Sequence, residues 1–157
     1  MSVLNSINII GSGLTAQQLR LDIVAENVTN SQTTRVENGE GAYRRKLVRF
    51  EAVSGRDSFR AALARASNGL ISNTEQVTPV AGGVRVTEIL EDETTPMKIV
   101  YDPTHPDADE EGYVELPNVD MVQEIADAMA ATRAFSSNVT AFNTLKAVIS
   151  SGLEIGR

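Results

Sequence analysis

Residues 118–157 read NVDMVQEIADAMAATRAFSSNVTAFNTLKAVISSGLEIGR. From Val122 onward, mostly apolar side chains recur every three or four positions. This stripe consists of Val122, Ile125, Met129, Thr132, Phe135, Val139, Phe142, Leu145, Ile149 and Leu153. The spacing predicts an amphipathic α-helix of about nine turns. A side-chain oxygen of Asn118 or Asp120 can cap its first N–H groups.

The rest of this helix is mostly Ala, Ser, Thr and Asn. Residues 119–157 hold only seven charged side chains. A helix that faces water on one side usually carries more charge there. We therefore expect this helix to be surrounded by protein on most sides, and much of that protein to come from elsewhere.

A second amphipathic helix is predicted over residues 3–29. Its apolar positions step by three, four or seven residues and include Leu4, Ile7, Ile10, Leu14, Leu21, Val24 and Val28. Gly11 and Gly13 each cost about 1 kcal/mol relative to Ala inside a helix. We therefore expect a neighbour close to the helix backbone at both glycines. The helix should end near Asn27–Asn30, where polar turn formers begin.

Between the two helices, the pattern indicates loops and short strands. Strands are predicted at Tyr43–Val53, Val84–Leu90, Met97–Tyr101 and Tyr113–Leu116, and the last two should form a hairpin. Residues 54–80 are ambiguous: Phe59–Ala66 could be a short helix, and the rest reads as a mobile loop. The basic triplet Arg44–Lys46 is interpreted as a solvated strand edge rather than a binding patch.

The predicted fold class is therefore α+β. Two long terminal helices form an antiparallel, coiled-coil-like pair, because the insertion between them must return the chain. The predicted divisions are an N-terminal helical segment at residues 1–30, a β-rich middle domain at 31–118 and a C-terminal helical segment at 119–157.

Composition and charge restrict the possible functions. The chain has 157 residues, no Cys, one His and a formal net charge of −7. It therefore lacks thiolate and most His-based metal sites, and its charge argues against binding to nucleic acid. Residues 31–118 hold twenty-five charged side chains, against ten in residues 1–30 and 119–157 together. This distribution favours ends that are buried in an assembly and a solvated middle.

Targeting and membrane signals are not visible in the sequence. The first positively charged side chain is Arg20, so no charged segment precedes an apolar run as in a secretory signal. The long uncharged stretch at the N-terminus is interrupted by Asn, Ser, Gly and Gln, which argues against insertion in a membrane.

Two short motifs suggest ligand sites, and both are weak. Residues 11–16 spell G-x-G-x-x-A, the start of a dinucleotide fingerprint. The apolar run before it is short, and Glu37 lies in loop sequence, so close helix packing is the favoured explanation. The acidic loop Asp102–Gly112 begins like a calcium loop at Asp107, but its twelfth position is Asn118 rather than a bidentate Glu. We expect no metal, cofactor or small-molecule substrate.

Three longer stretches carry a family resemblance. The first runs from Gly11 to Asp22 and on to Asn30, the second is Tyr43–Lys46, and the third runs from Val100 to Val119 with Arg133–Asn138 and Leu153–Arg157 after it. With these motifs the chain resembles the bacterial flagellar basal-body rod proteins, specifically the C-type proximal-rod subunit. The motif residues that the resemblance marks as contacts are Asn27, Asn30, Tyr101, Asp102, Pro103, His105, Pro106, Asp107, Asp109, Gly112, Asn118, Arg133 and Asn138.

The resemblance implies a structural, non-enzymatic subunit of the helical rod that transmits torque from motor to hook. Its partners would be copies of itself, other proximal and distal rod subunits, and the adaptor between the export gate and the MS ring. It would be exported through the flagellar type III apparatus without a cleaved signal and would lie in the rod that crosses the periplasm. The alternatives are a distal-rod or hook subunit or, from a different class, a dinucleotide-dependent enzyme.

Helix-seam and assembly contacts are expected along both apolar stripes. These positions are Leu4, Ile7, Leu14, Leu21, Val28, Val122, Ile125, Met129, Phe135, Val139, Phe142, Ile149 and Leu153.

Overall fold

The computed structural model describes residues 3–36, 41–53 and 82–155. In chain order its elements are α1 (Val3–Thr29), β1 (Lys46–Ala52), β2 (Val84–Glu91), β3 (Lys98–Tyr101), β4 (Tyr113–Leu116) and α2 (Met121–Ile155). The predicted α+β class, with terminal helices around a small β insertion, is confirmed. The ambiguous segment 54–80, including the possible helix Phe59–Ala66, lies outside the described residues.

Asp120 caps the start of α2. Its carboxylate accepts the N–H of Val122 at 2.9 Å, and its backbone carbonyl accepts the N–H of Glu124 at 2.9 Å. Of the two predicted caps, Asp120 is therefore the one used, and Asn118 serves another purpose described below. The helix continues through Gly152 to Ile155.

Within the described residues, four strands form two separate two-stranded sheets. β3 and β4 are antiparallel, with Lys98 opposite Leu116 and Tyr101 opposite Tyr113, so the predicted hairpin is confirmed. β1 and β2 pair in the other sheet. Hydrogen bonds extend this pairing beyond both ends, from the N–H of Val53 to the carbonyl of Gly83 and from the N–H of Asp92 to that of Arg45.

The described residues fall into two compact units. The first consists of residues 3–16, 50–53, 82–87 and 135–155, and the second of residues 17–36, 41–49 and 88–134. Among the described residues, nearly all buried side chains belong to the second unit. Its buried side chains include Ile23, Val24, Asn27, Ala42, Tyr43, Arg45, Asp92, Val114, Asn118, Val119, Glu124 and Ala131.

In the first unit, α1 and α2 approach closely at Gly13. A Cβ atom placed on Gly13 would lie 3.0 Å from Nδ2 of Asn138. The expectation of a close neighbour is therefore confirmed at this glycine. At Gly11 a Cβ atom would meet nothing within 4 Å, so in the described part of the chain the expectation is wrong there.

The first unit also fixes the start of β2 against α1. The hydroxyl of Ser12 accepts the N–H of Val84 at 3.1 Å and donates to the carbonyl of Ile9 at 2.7 Å. Gly83 has a φ of +95°, and a Cβ atom there would lie 2.2 Å from the Ser12 hydroxyl. Only glycine suits this position, because other residues would be strained and would collide with α1.

Candidate functional site

A cluster of buried polar side chains lies where the helices meet the strands in the second unit. We call Asn27, Tyr43, Arg45, Asn118 and Glu124 the polar cluster. Asn27 is in the last turns of α1, Tyr43 and Arg45 precede β1, Asn118 precedes α2, and Glu124 is in the first turn of α2. All five are buried, and the exposed fraction is 1% for Asn27 and 0% for Glu124. Buried polar groups are costly unless they are paired.

Asn27 uses its whole hydrogen-bonding capacity. Its Nδ2 donates to the carbonyl of Lys46 at 2.9 Å and to the carboxylate of Glu124 at 3.1 Å. Its Oδ1 accepts the Tyr43 hydroxyl at 2.9 Å and the Lys46 N–H at 2.9 Å. An amide has two donors and two acceptor positions, and all four are satisfied here. One side chain thereby joins α1, the start of β1 and α2.

Buried charges in this region are balanced by a chain of ion pairs. The carboxylate of Glu124 accepts Nε of Arg45 at 2.6 Å through one oxygen, and its other oxygen accepts Asn27. Arg45 also reaches Asp127 at 3.3 Å, and Asp127 pairs with Arg20 of α1 at 2.7 Å. Two arginines thus neutralise two carboxylates, which is how a buried charge avoids its desolvation penalty.

Asn118 fixes the backbone beside Arg45. Its Oδ1 accepts the Arg45 N–H at 2.8 Å, and its Nδ2 donates to the carbonyls of Asp92 and Thr95 at 2.8 and 3.0 Å. The N–H of Asp92 in turn donates to the Arg45 carbonyl at 2.8 Å. Asn118 therefore ties the turn after β2 to the segment that carries Arg45.

The Asp92 carboxylate organises that turn. It accepts hydrogen bonds from the hydroxyl and N–H groups of both Thr94 and Thr95, at 2.7 to 3.1 Å. These bonds, led by the Thr94 hydroxyl, hold the pKa of Asp92 well below its usual range.

Tyr43 is held in its neutral form. Burial, followed by the nearby negative charges of Glu26, Glu124 and Glu91, raises the pKa of the Tyr43 phenol well above its usual range. The Lys46 ammonium lies 5.7 Å from the centre of the Tyr43 ring and pairs with Glu26 at 2.5 Å. A neutral phenol is what the hydrogen bond to Asn27 requires, because the hydroxyl must donate.

Asn30 completes the end of α1. Its N–H and its Nδ2 both donate to the carbonyl of Glu26 at 3.0 Å, and its Oδ1 accepts the Thr33 hydroxyl at 3.1 Å. The side chain thus satisfies backbone groups that a helix C-terminus leaves without partners.

The loop between β3 and β4 is built from turns that the motif residues stabilise. Asp102 accepts the N–H and hydroxyl of Thr104 at 3.0 and 2.7 Å, and Asp109 accepts the N–H groups of Glu111 and Tyr113 at 3.0 and 2.7 Å. Nδ1 of His105 accepts the N–H of Asp107 at 3.1 Å. Hydrogen bonds from Thr104 hold the pKa of Asp102 below its usual value. These side chains serve the loop's own backbone.

Gly112 and the two tyrosines close this loop. Gly112 has a φ of +84°, and a Cβ atom there would lie 3.0 Å from the Tyr101 ring and 3.2 Å from Cβ of Pro103. The rings of Tyr101 and Tyr113 meet edge to face with centroids 5.3 Å apart. Both tyrosines are exposed, so this part of the motif presents an aromatic surface.

Asp107 connects the loop to the segment after α1. Its carboxylate accepts the Thr34 hydroxyl at 2.8 Å and the Arg35 guanidinium at 2.5 Å. An open recess of about 330 Å³ lies beside this contact, lined by Thr34, Arg35, Gly41, Ala42, Pro106, Asp107, Ala108 and Glu115. Within the described ranges, no group of three or more potential metal ligands comes together.

The apolar stripe of α2 is largely exposed. Val122, Ile125, Met129, Val139, Phe142 and Leu153 are 36–77% exposed, and Phe135 and Ile149 are half-buried. The α2 residues that contact α1 include Glu124 and Asp127 in the second unit and Asn138 in the first. On α1, Leu4 is exposed, while Ile7, Leu14, Leu21 and Val28 are half-buried. Arg133, a family-motif residue, is exposed on α2.

The sequence interpretation of Arg44–Lys46 as a solvated edge is wrong for Arg45. Its side chain is buried and pairs with Glu124, which is 79 positions away in the chain. Only Arg44 of the three is exposed. Sequence reasoning also missed Glu124 as a partner. A weak signal was available, because Asn27 is a polar residue three positions after the buried Val24 and therefore on the packed face of α1.

The dinucleotide alternative has no support in the geometry. Residues 11–16 lie within the continuous helix α1, so helix and not strand precedes them. A dinucleotide loop needs a strand that ends at the first glycine and a helix that begins there. Among the described residues, neither helix is both long and apolar enough to cross a membrane.

Two family models match the chain. The model described as flagella basal body rod protein matches residues 7–35, and the one described as flagellar basal body rod FlgEFG protein C-terminal matches residues 110–155. The chain is 41% identical to the flagellar basal-body rod protein FlgC of Bacillus subtilis, with all of both chains covered. The chain belongs to the family of the flagellar basal-body rod protein FlgC. The FlgC of Borreliella burgdorferi is 37% identical over 99% of this chain and 98% of that protein, and the FlgC of Escherichia coli O157:H7 is 36% identical over all of both.

Membership of the FlgC family confirms the resemblance drawn from the motifs. The chain is a structural protein of the bacterial flagellum, in the rod of the basal body. The FlgC family implies a structural rather than a catalytic role, and assembly with other rod proteins. The groups of the polar cluster are engaged with one another and join α1, the start of β1 and α2.

Proposed function

We propose that the chain is a subunit of the proximal rod and that it transmits torque from the motor toward the hook. One structural observation carries the proposal: the apolar stripe of α2 is turned to solvent in the single chain. Val122, Ile125 and Leu153 are 52–77% exposed. A contiguous exposed apolar surface marks an interaction site in a soluble protein. Neighbouring rod subunits are the partners that would cover it.

The two terminal helices form an antiparallel, coiled-coil-like pair in this proposal. In the second unit, Asn27 contacts Glu124 and Arg20 contacts Asp127. The earlier residue on α1 therefore meets the later residue on α2, as in an antiparallel pair. In the first unit, Gly13 lies against Asn138. The close approach at a glycine and the opposite direction of the contacts both support such a pair. The terminal segments 1–30 and 119–157 would be rod-core helices, and 31–118 the domain between them.

The stripe residues then serve as contacts between subunits. Val139 and Phe142 lie near the middle of the exposed stripe. Apolar surface is worth about 25 cal/mol per Å² when it is buried, and the same contact repeats for every subunit in the rod. A contact of this kind that does not close into a ring builds a helical tube.

The proposed partners are copies of this chain, other proximal and distal rod subunits, and the adaptor between the export gate and the MS ring. The chain would reach the rod through the flagellar type III apparatus without a cleaved signal, and the rod would cross the periplasm. The charge-poor helices favour this location, because they suit a protein interior better than a solvated surface.

A substitution in the stripe tests the proposal. Phe142→Asp would place an unpaired carboxylate in the apolar contact between subunits. This should weaken the free energy of that contact by about 3 kcal/mol or more. We expect normal export of the protein but no completed rod and no swimming in soft agar. The matched control is Asn143→Asp, because Asn143 is the next residue on α2 and lies off the stripe.

The two variants separate the outcomes. Export followed by failed assembly of Phe142→Asp, with a motile Asn143→Asp strain, supports the proposal. Normal motility of Phe142→Asp would overturn the assignment of the stripe to subunit contacts. If the protein were instead a distal-rod or hook subunit, basal bodies isolated from the Phe142→Asp strain would retain a complete proximal rod.

A further inference from the structure

The polar cluster has a property that the apolar stripes lack, which is that it can be formed in one register only. Along α2 the stripe places apolar or weakly polar residues three or four positions apart, so a slide by one turn exchanges Val122 for Ile125, or Ile125 for Met129. At these positions such a slide costs little, because one apolar side chain replaces another. The stripe therefore determines which face of the helix packs against a neighbour, but not its register, which is its position along the helix axis.

The cluster, by contrast, changes its chemistry with a slide of one turn. One turn before Asn27 on α1 is Ile23, and one turn after it is Ser31, which is beyond the helix end at Thr29. A slide that brought Ile23 to the place of Asn27 would leave Glu124, the Tyr43 hydroxyl and both backbone groups of Lys46 without the amide that satisfies them. Buried polar groups without partners are strongly unfavourable.

From this contrast we propose that the polar cluster is a register lock between α1 and α2. Asn27 on α1 must meet Glu124 on α2 and Lys46 at the start of β1 in one arrangement. The lock therefore fixes the axial position of the apolar stripe of α1 relative to that of α2. A buried polar residue that fixes helix register in exchange for stability has precedent in coiled coils.

The segment that joins α1 to β1 is long, since residues 30–45 connect them. The connection from β4 to α2 is short, because Leu116 ends the strand and Met121 begins the helix. Sliding of α1 is therefore the alternative that the cluster excludes.

Distances between spin labels measure the register directly. The chain has no Cys, so two introduced cysteines give unique labels. Asp22 on α1 and Ala130 on α2 are exposed and belong to the same unit, which makes Asp22→Cys and Ala130→Cys suitable label positions. Double electron–electron resonance on the full-length labelled chain should give one distance population.

The first test variant removes the lock and keeps the volume of the cluster. It combines Asn27→Leu, Tyr43→Phe, Arg45→Met and Glu124→Met. We expect the helix content measured by circular dichroism to persist. A second distance population should also appear, because α1 can then slide by about 6 Å along its axis, which is four residues at 1.5 Å each. The matched control is Glu51→Ala with Arg85→Ala, an exposed ion pair whose loss should leave a single population.

The second variant moves the lock, and it conserves composition. Ile23→Asn with Asn27→Ile transfers the amide back by one turn of α1. The proposal predicts one population shifted by a slide of about 6 Å, because the amide at position 23 recovers the partners of Asn27. An unshifted population in this variant, or a single parental population in the apolar variant, would overturn the proposal. Loss of the parental distance in both variants with no shifted population would also overturn it, since the cluster would then only stabilise the fold.

Discussion

The side-chain amide of Asn27 donates to the carboxylate of Glu124 at 3.1 Å, which joins two residues 97 positions apart in the chain. Through this contact the last turns of the first helix meet the first turn of the last helix. Both side chains are buried. The Asn27 amide also donates to the carbonyl of Lys46, and the Glu124 carboxylate also accepts Nε of Arg45. A structural subunit benefits from such a joint, because both terminal helices are held to the residues at the start of β1.

Asn27→Asp should destabilise the folded chain severely. The change replaces two N–H donors by an oxygen, faces the Glu124 carboxylate with a second negative charge and leaves the Lys46 carbonyl without its donor. We expect a loss of about 3 kcal/mol or more in the free energy of unfolding, measured with urea. The control is Asn8→Asp on the same helix, where the side chain is exposed and the loss should stay below about 0.5 kcal/mol. Equal losses in the two variants would contradict the role of Asn27.

The two glycines of α1 offer a matched pair. Gly11→Ala should favour the helical form of residues 3–15 by about 1 kcal/mol, seen as slower amide exchange there, because Ala favours a helix and its Cβ atom meets no described residue within 4 Å. Gly13→Ala should gain less, because Asn138 must move away from the new methyl group at 3.0 Å. Adding Asn138→Ala to Gly13→Ala should raise the gain to that of Gly11→Ala, because the side chain that crowds the new methyl group is then removed. Equal gains for the two single variants would show that the helices are not in contact at Gly13.

Much of the fold was predictable from spacing within single segments. The range of α1 and the cap at Asp120 follow from local patterns of apolar and capping residues, and so do the strands of the β3–β4 hairpin. The polar cluster was not predictable in this way. Arg45 appears in a basic triplet and Glu124 among the few charges of a helix, and neither local sequence tells that they meet across 79 positions. Periodicity identifies a face of one element, whereas a buried pair depends on how two elements pack.

Acid should weaken the fold partly through Asp92. The pKa of its carboxyl is lowered in the folded chain, whereas an Asp in an unfolded chain titrates near 3.9. Asp92 therefore contributes stability that is fully present above about pH 4 and is lost as the pH falls through the folded pKa. In urea unfolding, Asp92→Asn should be less stable than the parent at pH 6, and the gap should narrow below about pH 4.

The threonines of that turn provide a second variant. Thr94→Val with Thr95→Val removes the two hydroxyl donors, so the pKa of Asp92 should move up toward its usual value. The free energy of unfolding should then fall less as the pH is lowered. A gap between parent and Asp92→Asn that stays constant from pH 6 to pH 3 would contradict this origin of the acid sensitivity.

The two helices should differ in stability along their length. Among the described side chains, none is buried in α1 before Ala16 or in α2 after Ala131. Helical stability in proteins comes mainly from packing, so these outer parts should be largely unfolded in a free subunit. In amide hydrogen exchange on a confirmed monomer, residues 3–15 and 135–153 should exchange rapidly. Residues near Asn27 and Glu124 should be protected about 100-fold or more. Uniform strong protection along both helices would show that the pair is stable without neighbours.

A density map of isolated basal bodies would show directly whether this chain is a structural subunit of the proximal rod held by its terminal helices. We expect density for α1 and α2 in the inner tube of the proximal rod, with Val139 and Phe142 covered by adjacent subunits. Density for the chain in the distal rod or hook, or in the proximal rod with the α2 stripe facing solvent, would contradict it.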